Sequence, residues 1–140
     1  MPGWLLYALL SAFFAALTAI FAKMGLKAVN ADLATAIRTA IILFITWAIV
    51  FARGNQSGLA SLSKNNWIFL TLSALATGAS WIFYYRALQM GKVSEVSAID
   101  KGSIVITILL SFIFLKDPVT PKILIGAGLI LAGMIVIVWK

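Results

Sequence analysis

Five ionisable side chains stand where an apolar sequence should have none: Arg38, Arg86, Glu95, Asp100 and Lys101. Each lies inside, or at the end of, a long run of Leu, Ile, Val, Ala and Phe. Ionisable groups in such surroundings are costly, and they mark solute pathways, proton relays or charge pairs. Arg38 or Arg86 opposite Asp100 would make a buried pair, and Asp100, Arg86 and Glu95 are the candidates for an ion-pair or proton site. Neighbouring helical positions point about 100° apart, so Asp100 and Lys101 cannot both face one partner. Lys101 is expected to carry its ammonium toward the helix end. The aromatic run Trp81-Ile82-Phe83-Tyr84-Tyr85 ends beside Arg86, with Trp81 and Tyr85 four apart and therefore on one helical face. Arg38, Trp81, Tyr85, Asp100 and Lys101 form the candidate substrate-binding set, in which the excess of cations favours an anionic or zwitterionic ligand. Two plainer readings stand beside this one: ion pairs that only join helices, and an aromatic run that only packs at an interface.

Other chemistries lack their residues. There is no Cys for thiol or disulfide chemistry and no His for general-base or metal work, and only four residues are Asp or Glu. No catalytic residue, metal site or cofactor is expected, and an enzyme is the least favoured class. The net charge of +7 does not indicate a nucleic-acid partner. The basic residues stand singly at the ends of apolar runs and form no patch interleaved with aromatics.

The elements that must hold these residues follow from hydropathy. The chain has 140 residues, 63% of them hydrophobic, and a mean hydropathy of +1.08; a soluble domain is roughly 45–50% apolar. Long charge-free runs alternate with short polar connections, which is the pattern of a chain that crosses a bilayer repeatedly. The expected fold is all-α: a polytopic membrane protein with five transmembrane helices in one bundle and one domain over residues 1–140. The helices are expected at about 4–22, 33–52, 67–88, 94–115 and 123–139. The second and fourth need care, because their charge-free cores, 39–52 and 102–115, cover only about 21 Å at 1.5 Å per residue. To span, they must carry Arg38, Glu95, Asp100 and Lys101 into the membrane, at about 2.5–3.5 kcal/mol for each charge at mid-bilayer and less near the interface. Such charges need partners or a watery cavity.

The connections are short. The longest, 53–66, is polar, and 116–122 holds Pro118 and Pro121, which stop one helix and start the next. The first apolar run has no basic stretch before it and is expected to be retained as a helix, not removed as a signal peptide. Trp4, Trp67 and Trp139 lie at segment ends, as an interfacial belt requires. Small residues recur at packing spacing: Ala12, Ala16, Ala15 and Ala19 in the first helix, Ala74 and Gly78 in the third, Gly126, Gly128, Ala132 and Gly133 in the fifth. That spacing fits packing within one bundle better than a dedicated dimer motif.

Five crossings place the termini on opposite sides. The N-terminal side then carries Arg53, Lys64, Lys116 and Lys122; the other carries Lys23, Lys27, Arg86, Lys92 and Lys140, with Arg38 and Lys101 embedded nearer to it. The Lys/Arg excess that sets orientation is slight, and it puts the C-terminus in the cytoplasm. So even a balance permits insertion either way up, and two opposite copies would form an antiparallel homodimer, an inverted repeat built from one sequence.

Over nearly its whole length the chain resembles a single EamA domain of the drug/metabolite transporter superfamily, in the form of its small five-helix bacterial and archaeal members. The resemblance is carried by residues 4–12, by Ala22-Lys23-Met24-Gly25-Leu26, by Arg38 in the second helix and by Gly78-Ala79-Ser80-Trp81-Ile82-Phe83-Tyr84-Tyr85-Arg86-Ala87-Leu88. Ile99-Asp100-Lys101-Gly102-Ser103 and the glycines from Gly126 to Gly133 complete it. Many relatives have Gly-Glu after the fourth helix, where this chain has Lys116-Asp117, an acid of the same kind on a shorter side chain. The resemblance implies an inner-membrane carrier of small metabolites. Larger relatives join two such domains in inverted orientation, the arrangement an antiparallel dimer would copy. The four-helix exporters of the superfamily use a Glu in their first helix; 4–22 has no acid, so that mechanism does not transfer.

Two functions follow. The first is a secondary transporter of small metabolites that works by alternating access across the inner membrane as a homodimer, with the lipid bilayer and a small solute as its other partners. The second is a small membrane subunit or assembly factor whose intramembrane ion pairs are structural.

Overall fold

The computed structural model describes residues 2–139; Met1 and Lys140, the latter counted above among the basic residues, lie outside them. The described chain is helical without strands. Its helices are α1 (Gly3–Gly25), α2 (Ala31–Ala52), α3 (Lys64–Met90), α4 (Val93–Asp100), α5 (Ser103–Leu110) and α6 (Pro121–Val138), with a 3-10 helix at Asn55–Ser61 and a π-helical turn at Ser111–Leu115. Five stretches are long and apolar enough to cross a membrane: α1, α2, α3, the run Val93–Leu115, and α6. The outward side chains agree with that. Leu, Ile and Phe such as Leu6, Phe14, Phe44, Phe69, Phe114 and Ile125 are exposed along these helices. Only a hydrocarbon solvent leaves such faces without penalty.

Local sequence sets the helix ends. The Asn30 side chain accepts from the backbone N–H groups of Asp32 (2.8 Å) and Leu33 (3.2 Å), which starts α2 two residues before the apolar run and brings Asp32 into its first turn. At α3, Ser63 Oγ accepts from the Asn66 N–H at 3.2 Å, and the Ser63 hydroxyl donates to Asn66 Oδ1. This reciprocal cap starts the helix at Lys64, ahead of the apolar run at Trp67. Pro121 occupies the first turn of α6 behind the Thr120 cap, where its missing N–H costs nothing. Hydroxyls inside the spans bond back one turn: Thr35 to Ala31 O and Thr39 to Thr35 O, both at 2.8 Å, and Thr46 to Ile42 O at 2.9 Å. Each leaves its polar atom satisfied in lipid.

The fourth span departs from the single helix expected over 94–115. It is interrupted at Lys101-Gly102, where the backbone tightens: the Lys101 and Gly102 N–H groups donate three residues back, to Ala98 O (3.1 Å) and Ile99 O (2.9 Å). Its last turn widens to π geometry before Lys116 at φ 57°, and the Asp117 N–H reaches back to Ser111 O at 3.4 Å. The Ser111 hydroxyl donates to the Asp117 carboxylate. The short acid of the Lys116-Asp117 variant therefore closes the end of its own helix.

The chain forms two compact units, Ala22–Gln89 and the remaining residues on either side of it. In the outer unit α4 and α5 pack on α6, and Ala127 of α6 is buried. In Ala22–Gln89 the N-terminal half of α2 lies antiparallel to the C-terminal third of α3, because pairs descend on one helix as they rise on the other: Arg38 with Trp81, Asp32 with Arg86, Val29 with Gln89.

Candidate functional site

The Ala22–Gln89 unit brings three of the candidate residues together. Trp81 and Tyr85 stand one turn apart on α3, and the Arg38 guanidinium from α2 lies over both rings, with Cζ 4.1 Å from the indole centroid and 5.5 Å from the phenol centroid. Tyr85 is only 4% exposed and the wholly buried Leu88 lies just beyond it, so the ring that supports the cation is fixed in the core of the unit. Arg38 sits about 10 Å along α2 from its start, at 1.5 Å per residue. A desolvated guanidinium on an aromatic face gains about 2 kcal/mol or more, against about 2.5–3.5 kcal/mol for a charge at the centre of a spanning helix. The stack offsets much of that penalty.

The stack does not neutralise the charge. Asp32 is the only carboxylate in the sequence from Ala22 to Gln89, and it is held by Arg86: Nε donates to Oδ1 at 3.1 Å and Nη2 to Oδ2 at 2.9 Å. Such a two-pronged pair matches guanidinium and carboxylate edge to edge. Arg86, one of the two arginines expected opposite Asp100, is bound by Asp32 instead. Hydropathy assigns Asp32 to the connection, because apolar residues begin only at Leu33; the Asn30 cap draws it into α2, where the helix dipole also favours a negative charge. Further along, the Lys23 ammonium donates to Leu88 O, and Gln89 Nε2 donates to Val29 O at 2.6 Å. Both contacts fasten the end of α3 to the segment that precedes α2. Neither the guanidinium of Arg38, the indole N–H of Trp81 nor the Tyr85 hydroxyl has a hydrogen-bond partner among the described residues.

The other candidates lie in the outer unit. Asp100 ends α4 and pairs with its neighbour Lys101, Oδ2 to Nζ 3.4 Å, with both side chains partly exposed. Glu95 pairs with Lys92 one turn back at 3.2 Å. The interrupted span keeps Asp100 and Lys101 at the break itself. Gly102 completes that break, and a methyl group there would lie 3.0 Å from Ile99 O and 3.2 Å from Met134 Sδ. By contrast, a methyl group at Gly78, Gly126, Gly128 or Gly133 would meet nothing within 4 Å. The glycines expected to pack helices closely are open here, although Ala19 is buried, and the close Gly102 was not among the small residues expected to do so. A groove of about 290 Å³ lies between Ile99 and Met134, Ile135, Val138 and Trp139. Its lining is almost wholly apolar, with no charged side chain to orient a polar solute.

Five apolar spans and a cation held within one of them are the setting in which the comparisons with other proteins read clearly. The profile of the EamA-like transporter family matches residues 2–139. The chain belongs to the EamA-like transporter family. A relative from Sinorhizobium sp., named "Uncharacterized transporter in cobO 3'region", is 44% identical over 135 residues, which covers 96% of this chain and 96% of the relative. No solved structure matches. This EamA-like chain is thus a multi-pass membrane protein of a transporter family, as its sequence led one to expect.

Proposed function

We propose that this chain is a secondary transporter that carries small anionic or zwitterionic metabolites across the inner membrane by alternating access, as a homodimer of oppositely inserted copies. One observation carries the reading: the Arg38 guanidinium, about 10 Å into a spanning helix, rests on Trp81 and Tyr85 while the unit's only carboxylate is bound elsewhere. A cation kept at membrane depth with its donors unused is a site for something that comes and goes. Asp100 and Lys101, at the break in the fourth span, with Glu95 nearby on α4, are the groups proposed to couple transport to ion or proton movement. The odd number of spans and the near-even Lys/Arg split support the inverted pair. Transport needs no cofactor and no bond-breaking step, in keeping with a chain poor in catalytic side chains.

The test is reconstitution. Proteoliposomes holding the purified chain, loaded with metabolite pools and given an imposed pH gradient, should show solute flux that Arg38→Gln abolishes. Absence of flux for every solute class would favour the second reading, a membrane subunit or assembly factor with structural charges. The Asp32–Arg86 pair is the observation on that reading's side. Asp100→Asn should alter the pH dependence of flux; if rate and pH profile are unchanged, Asp100 is not a coupling site.

A further inference from the structure

We infer that the Arg38–Trp81–Tyr85 site selects an organic monocarboxylate, over phosphorylated, cationic or α-amino acid solutes; this rests on the transport reading above. The polar groups of these three side chains can all donate: the guanidinium fork of Arg38, the indole N–H of Trp81 and the hydroxyl of Tyr85, none with a partner among the described residues. Guanidinium and indole have no acceptor lone pair to offer, so a ligand must supply acceptor oxygens. Tyr85 adds weight, because its ring is almost wholly buried while its hydroxyl goes unpaired.

Charge decides which oxyanion. Arg38 is the one cation seen against these two rings among the described residues, while Arg86 is held by Asp32 and the Lys23 ammonium donates to Leu88 O. A single guanidinium balances one negative charge, and its flat edge matches the two oxygens of a carboxylate. A doubly charged phosphate or phosphonate would bring a second charge that nothing at the site balances. An α-amino acid would bring an ammonium, and the unit's one carboxylate is already bound by Arg86. The indole and phenol faces give the remainder of the ligand an apolar wall, so a carboxylate on a hydrocarbon skeleton fits the set as a whole.

The experiment uses matched probes of nearly one size: butyrate, butyramide, 2-aminobutyrate, propylphosphonate and butylamine. Binding of each to the purified full-length chain is read by equilibrium dialysis of radiolabelled compound, and flux by counterflow in proteoliposomes. Butyrate is expected to bind and to exchange, with the other four at least tenfold weaker. Arg38→Lys, which keeps the charge but not the planar fork, should weaken butyrate at least tenfold, and Tyr85→Phe severalfold, with thermal unfolding of both variants checked against the parent. Arg38-dependent binding or flux of propylphosphonate, 2-aminobutyrate or butylamine at or above that of butyrate would overturn the monocarboxylate assignment and leave the transport reading standing. Butyrate binding that survives both substitutions would overturn the site. A folded protein that neither binds nor moves any probe, or any wider metabolite pool, would overturn both.

Discussion

At the scale of single residues, two arginines from the same apolar setting have opposite fates. Arg86 is matched edge to edge by Asp32, and both side chains are about half exposed (52% each). Arg38 lies over two rings and has no hydrogen-bond partner among the described residues. The difference predicts different mutational behaviour. Asp32→Asn and Arg86→Gln should each lower the thermal unfolding temperature in detergent, and the double variant should lose clearly less than the two losses added, because each single change strands the other's charge. Strict additivity in that cycle would mean that the pair is not coupled. Arg38→Gln removes a charge that has no carboxylate to strand. It should leave the unfolding temperature close to that of the parent while abolishing flux. The Arg38 arrangement was legible in part: the i, i+4 spacing of Trp81 and Tyr85 put both on one face, and Arg38 lay at a compatible depth. The Asp32–Arg86 pair was not, because hydropathy placed Asp32 outside its helix and the pair joins positions far apart in the chain.

At the scale of elements, the spans were readable because hydrocarbon imposes a length and a composition on any helix that crosses it. Their ends were less so. Asn30 and Ser63 extend α2 and α3 past their apolar runs through polar caps, a local effect that hydropathy does not register. The interruption of the fourth span falls at Gly102, which lies against a neighbour distant in sequence. A methyl group at Gly102 would press on Ile99 O at 3.0 Å and Met134 Sδ at 3.2 Å, so a neighbour would have to give way, and nothing in the spacing of small residues pointed there. Gly102→Ala should therefore destabilise the protein by about 1–3 kcal/mol, the usual range for overpacking, measured as a fall in unfolding temperature. Met134→Ala in the same chain should restore part of the loss. A more stable Gly102→Ala protein would show that the backbone relaxes into a continuous helix. At α6, Thr120→Ala removes the side-chain acceptor for the Ile123 N–H, which should cost about 1 kcal/mol.

At the scale of the whole molecule, the question is which way up the chain sits. The sequence contains no cysteine, so single-cysteine variants need no prior substitutions. Ser57→Cys, in the 3-10 segment after α2, and Met90→Cys, 85% exposed at the end of α3, fall on opposite sides of the membrane if the five spans cross in turn. In intact cells, an impermeant maleimide should label a fraction of each if insertion is dual. Complete labelling of one and none of the other would exclude the antiparallel dimer. The even charge split that motivates this test was fully legible in the sequence, whereas any pairing of two copies would depend on surfaces that a single chain leaves open.

The order in which the chain is made gives the Arg38 stack one more consequence. Arg38 is synthesised well before Trp81 and Tyr85, so α2 reaches the bilayer ahead of the rings that support its cation. Insertion of α2 should stay reversible until α3 is synthesised and its rings arrive. A nascent chain halted before Trp81 should hold α2 poorly in the membrane; one halted after α3 should hold it firmly, and Trp81→Ala should erase that difference. The aromatic shelf is then a latch on biogenesis as well as a wall of the site.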